Sequence, residues 1–158
     1  MDSIKSVPFS GKHQDWDTWK DHFYARAAVY RYDGILRGLH KIPSFADISK
    51  IDDATINVDE KRLLQLYQMN SSAYGQLLTS ITMSTSDGKV AFNLVRQAVS
   101  TDLPYGDVKL AMEKLDDYYH PKTVATAQVL LRQFDNLRLQ DKQDPGKFIT
   151  ELEICVCV

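Results

Sequence analysis

An all-α fold, a helical bundle of about five to seven helices, is predicted by three features of the sequence. Apolar residues recur at i, i+3, i+4 and i+7 in successive segments, turn and capping residues separate those segments, and no two-residue alternation holds for more than a few positions. The pattern is clearest in Asp107 to Tyr119, where Val108, Ala111, Met112, Leu115, Tyr118 and Tyr119 share one helical face. Asp107 is the natural N-cap of that helix.

Residues 1–13 read as an extended lead-in, because Pro8 and the Ser10-Gly11 pair disfavour a helix. Phe9, just ahead of the first helix, is placed to pack back on it. From about Gln14, the residues Trp16, Trp19, Phe23, Ala27 and Tyr30 fall on one side of a helix. Tryptophans at this spacing read as core before they read as a binding platform. Asp33-Gly34 and Gly38 interrupt, and Ile35, Leu36 and Leu39 fit a short helix or turn.

Residues 43–57 show no sustained period and read as a long loop with room for one helical turn. A longer helix is predicted from about Val58 to Ile81, carrying Leu63, Leu66, Tyr67, Tyr74, Leu77, Leu78 and Ile81; at 1.5 Å per residue it spans about 36 Å. Gly75 weakens its middle unless a neighbour needs close approach there. Ser84 to Gly88 breaks the pattern and supplies caps for a helix around Lys89 to Ser100 that buries Ala91, Leu94, Val95 and Ala98. Leu103-Pro104-Tyr105-Gly106 is a turn into the helix that starts at Asp107.

After His120-Pro121, the residues Val124, Ala127, Leu130, Leu131, Phe134 and Leu137 repeat the helical period to about Gln140. Asp144-Pro145 starts another helix, with Phe148, Ile149 and Leu152 as its stripe. Residues 14–153 are therefore expected to form a single domain. Its expected core comprises Trp16, Trp19, Phe23, Tyr67, Leu77, Leu94, Leu115, Tyr119, Leu130, Phe134, Leu137, Phe148 and Leu152. The apolar ending, residues 154–158, is an uncapped, β-prone tail, and the helix before it is expected to be truncated, with its natural continuation missing. Phe148, Ile149, Leu152 and Ile154 then make the expected association face.

Composition narrows the function. A chain of 158 residues suits one domain with a real core, and its hydrophobic fraction of 44% argues against wholesale disorder. No apolar run approaches the ~20 residues that cross a bilayer, and the N-terminus lacks a secretory pattern, so a cytoplasmic protein without a membrane partner is expected. The net charge is −2, with basic and acidic residues intermixed and no basic stripe, which argues against this segment as an RNA- or DNA-binding surface. Cys155 and Cys157, at the tail, staple nothing and fit a reducing compartment.

No catalytic constellation emerges. His13, His22, His40 and His120 are scattered, and Cys155 with Cys157 supplies at most two ligands of an incomplete metal site. The glycines form neither GxxxxGK[ST] nor GxGxxG. Asp116 and Asp117 are neighbours on a helix and point about 100° apart, so they do not converge on one substrate. Ser72, Ser80 and Ser86 have no histidine near in sequence. A non-enzymatic chain is expected, with no cofactor, no metal and no small-molecule substrate.

In order along the chain, the blocks Phe9-Ser10-Gly11 with Trp16 and Trp19, Ala73-Tyr74-Gly75-Gln76-Leu77-Leu78-Thr79-Ser80-Ile81, and Gly88 to Val95 can be set beside Ala111 to Leu115, Tyr119-His120-Pro121, Leu131 to Leu137, and Asp144-Pro145 with Phe148 to Glu153. Together they resemble the Gag polyprotein of copia-type LTR retrotransposons, over nearly the whole chain except the 43–57 loop. The resemblance implies a capsid-like helical domain that self-associates towards virus-like particles packaging the element's RNA. The positions it carries over are core positions, with no catalytic role among them. RNA contact is expected only through a downstream region, since Cys155 and Cys157 do not match the family's CCHC zinc knuckle. The alternative expectation is a host-adopted helical adaptor domain that binds a partner protein in a groove between helices.

Overall fold

The computed structural model describes residues 5–120 together with Leu131 and Arg132. The described chain is all-α: a 3-10 turn at His13–Asp15 is followed by α1 (Trp16–Val29), α2 (Asp33–Leu36), α3 (Phe45–Ile48), α4 (Val58–Ser80), α5 (Ser86–Arg96) and α6 (Val108–Tyr119). The chain divides into two compact units, Met1–Leu115 and Asp116–Val158. The helices predicted after Pro121, and with them Leu130, Phe134, Leu137, Phe148, Ile149, Leu152 and Ile154, lie outside the described residues.

In the first unit the lead-in is a structural member. Phe9 is fully buried, and its backbone makes a one-residue parallel bridge to Ile81: its N–H donates to the Ser80 carbonyl at 2.7 Å, and its carbonyl accepts from Thr82 at 2.9 Å. The Phe9 ring stacks on Trp19 at 4.7 Å and tilts against Trp16 at 5.6 Å. From there the aromatic chain continues along α1 through Trp19 and Phe23 (5.3 Å) to Tyr32 (6.1 Å). Trp16, Trp19, Phe23 and Ala27 are all buried, so the i, i+3, i+7, i+11 stripe faces the interior. Tyr30, expected on the same stripe, is exposed instead; it stands past the end of α1, where the Arg26 guanidinium lies over its ring at 5.4 Å.

Local chemistry sets the helix starts. Ser44 caps α3 by accepting from the Asp47 amide, which gives the single helical turn within the 43–57 loop. Asn57 and Glu60 form a reciprocal capping box at the head of α4, satisfying two otherwise orphaned amides. Thr85 caps α5 by accepting from Gly88 at 3.0 Å, so that helix begins at Ser86, three residues before the expected Lys89. It also ends earlier than expected, at Arg96: Gln97 and Ala98 close tighter i to i+3 bonds, and the Ala98 carbonyl is taken by the Asp107 amide. Asp107 caps α6 as predicted, accepting from the Leu110 amide at 3.1 Å.

Adjacent residues on a helix point about 100° apart, and this explains two departures from the expected buried faces. Val95 is fully buried, and its neighbour Leu94 is only half-buried. Tyr119 is buried and Tyr118 exposed, with their rings edge-on at 4.9 Å. Leu131, expected on the stripe that follows His120-Pro121, is 62% exposed. Trp16, Trp19, Phe23, Tyr67, Leu77 and Leu115 are buried. Gly75 has no heavy atom within 4 Å of where a Cβ would stand, so no close approach offsets its cost of ~0.5–1 kcal/mol to α4.

Burial has a pH consequence. Tyr32, Tyr67 and Tyr74 are all buried, and burial raises each phenol above its ordinary value of 10.0, with Arg26 partly opposing the shift at Tyr32. The folded chain therefore keeps protons that the unfolded chain would release, so stability is complete below the unfolded value and falls as pH rises through the raised folded ones. An alkaline titration followed by circular dichroism should show unfolding accompanied by late phenolate absorbance. Phenolate absorbance that rises at the ordinary value with the helices intact would contradict this.

Candidate functional site

The sequence reading missed the residue that fixes the surface around the start of α6. Asn70, in mid-α4, is fully buried. Its amide nitrogen donates to the Gly106 carbonyl at 2.7 Å, and its amide oxygen accepts from the Val108 N–H at 3.1 Å. An asparagine thus satisfies both polar groups of the turn that opens α6, and the two partners fix which way its amide points. Beside it, Tyr74 donates to the Val95 carbonyl at 2.9 Å, and Gly106, at φ +90°, lies against the Tyr74 ring. No single helix is responsible for this arrangement: α4, α5 and the 97–107 connection are tied together by buried polar bonds.

That connection also holds the 43–57 loop. The Phe45 amide, at the start of α3, donates to the Asp102 carbonyl at 2.7 Å. Between the two segments lies a groove of about 620 Å³, with Ile42, Pro43, Leu63 and Leu103 among its walls. Phe45 and Tyr105, 44% and 62% exposed, are apolar surface of the same region: the Phe45 ring is 6.5 Å from Tyr67, and Tyr105 is near enough to Tyr67 to help raise its phenol. Leu63, expected on the buried stripe of α4, is 39% exposed because it faces this groove and not the core. The Tyr67 hydroxyl is buried without a hydrogen-bond partner among the described residues.

The rim is acidic. Asp47, Asp102 and Asp107 line the groove against the single lysine Lys41. Hydrogen bonds from Ser44, side chain first, hold the Asp47 carboxyl below its ordinary 3.8, with smaller help from Lys50 and Lys41, so it is charged at neutral pH. Asp107 is committed to capping α6. Among the described residues no three histidine, cysteine or acidic side chains gather as metal ligands. No described helix is long and apolar enough to cross a membrane.

The groove combines aliphatic walls with a charged edge, and two exposed rings, Phe45 and Tyr105, stand in the same region. Of the positions that sequence reading singled out, Tyr67 lies beside the groove, whereas Trp16, Trp19, Phe23, Leu77 and Leu115 are core. The expected association face, Phe148, Ile149, Leu152 and Ile154, and the cysteine pair Cys155 and Cys157 lie outside the described residues. A signal for the groove was present only in fragments, as isolated apolar residues at 42, 43, 45, 63 and 103 that share no helical period. No family model, no curated protein and no solved structure matches the chain.

Proposed function

We propose that this protein is a structural, non-enzymatic domain of the capsid region of a copia-type Gag polyprotein, and that it self-associates through helices towards particles, with RNA engaged by a region beyond this domain. What supports the assembly reading is one observation: the groove between residues 41–47 and 100–107 opens Leu63 to solvent, and Phe45 and Tyr105 stand exposed in the same region. Exposed apolar surface framed by polar residues is what an association surface requires. The ordered blocks from Phe9-Ser10-Gly11 to Phe148 support the family reading, and Phe9 and Gly11 of the first block hold the lead-in in place.

A concentration series by light scattering and cross-linking tests it. The unaltered chain is expected to form oligomers that grow with concentration, and Leu63→Glu combined with Tyr105→Glu is expected to reduce association at least about tenfold, the effect of ~1.4 kcal/mol, with an unchanged melting temperature. Monomer alone at the highest concentration would end the assembly reading. A second reading, a host-adopted adaptor domain, is favoured by the acidic rim at Asp47, Asp102 and Asp107, which suits a basic partner helix laid along aliphatic walls. A monomer that captures such a helix and forms no particles would support it.

A further inference from the structure

We propose that the first unit contains a binding site for a phosphoryl group, in a small cationic cavity between the lead-in and α1. The cavity, of about 80 Å³, is lined by Lys5, Ser6 and Val7 from the lead-in, by Trp19, His22, Phe23 and Arg26 from α1, and by Ser80 from the end of α4. In a chain with more acidic than basic residues and a net charge of −2, this lining contains three basic side chains and no carboxylate among the described residues. His22 and Arg26 are one helical turn apart and face the same way, and Lys5 is brought to them only by the fold.

Arg26 provides the second, independent observation. Its Nε is buried from solvent and has no hydrogen-bond partner among the described residues. A buried guanidinium N–H without an acceptor is costly, and a small turn of the Arg26 side chain towards an anion in the cavity supplies that acceptor. The guanidinium is held over the Tyr30 ring at 5.4 Å, which limits its orientation. Trp19 does not bind: its indole N–H is committed to the Val7 carbonyl at 2.9 Å, so it serves as a fixed wall. The volume exceeds the share of two waters, about 60 Å³ in the liquid, and suits one compact four-oxygen anion. Lys5 and Arg26 carry two positive charges, which a phosphate dianion matches and a carboxylate would leave half compensated.

This inference is independent of the assembly reading, and its test needs no oligomer. The full chain is titrated with sodium phosphate at ionic strength held constant with sodium chloride, and the Trp19 indole N–H and the Ser6 and Val7 amides are followed by NMR. Saturable shifts confined to these groups are expected. Arg26→Gln should weaken binding at least about tenfold, as loss of a charge-assisted bond does. Lys5→Gln, on the exposed lead-in, provides the same test if the α1 variant folds poorly. Adenosine monophosphate set against adenosine distinguishes the sources: tighter binding of the nucleotide than of phosphate assigns the site to a phosphate ester, and equal affinity assigns it to the free ion. Identical shifts with chloride alone, or wild-type affinity in both folded variants, would overturn the site.

Discussion

Asn70→Ala is expected to cost about 2–6 kcal/mol, because it leaves two buried backbone groups, the Gly106 carbonyl and the Val108 N–H, without partners at about 1–3 kcal/mol each. That is a large share of the roughly 5–15 kcal/mol that holds a domain together. Chemical denaturation of the purified chain measures it directly. Asn70→Asp is not a conservative control, since the carboxylate keeps an acceptor for Val108 and places an oxygen against the Gly106 carbonyl, where a donor stood. Asn70→Asp should therefore also be destabilised at neutral pH. A cost below ~1 kcal/mol for Asn70→Ala would mean that the turn before α6 finds other partners, and that the account of how the 97–107 connection is held is wrong.

Asn70 also shows where the sequence stops being readable. The periodicity that placed Trp16, Trp19, Phe23, Leu77 and Leu115 depends only on neighbours three and four apart, and those side chains are buried. Helix starts were readable for the same local reason: Asp107 stands just before its helix and caps it. An asparagine inside a helix, by contrast, looks like any solvated polar residue, because the two groups it satisfies lie 36 and 38 residues away. Leu63 fails in the other direction. It keeps the period of the stripe, yet it stands where the 43–57 loop leaves the groove open. The cationic cavity is still less legible, since Lys5 and Arg26 meet only after the lead-in has folded back over α1.

Gly11→Ala is expected to cost about 2–5 kcal/mol, because the second position after Phe9 has room and backbone freedom only for a glycine. Gly11 sits at φ +84°, in the left-handed region, where an added side chain costs roughly 1–2 kcal/mol. A Cβ there would stand 2.3 Å from the backbone carbon and oxygen of Asp87 and 2.4 Å from the Gly88 nitrogen, contacts that force either the lead-in or the head of α5 to move. Such overpacking typically costs about 1–3 kcal/mol more. Neither side yields easily. The lead-in is anchored by the buried Phe9 ring and its two backbone bonds to α4 and Thr82, and Thr85, the cap of α5, donates its hydroxyl to the Ser10 carbonyl at 3.2 Å. Gly75→Ala is the matched control, because its Cβ meets nothing within 4 Å and alanine favours the helix, so it should stabilise by about 0.5–1 kcal/mol. If the two substitutions shift the denaturation midpoint in the same direction, the lead-in is not clamped against α5 as described, and the cavity walled by its residues would have no fixed shape.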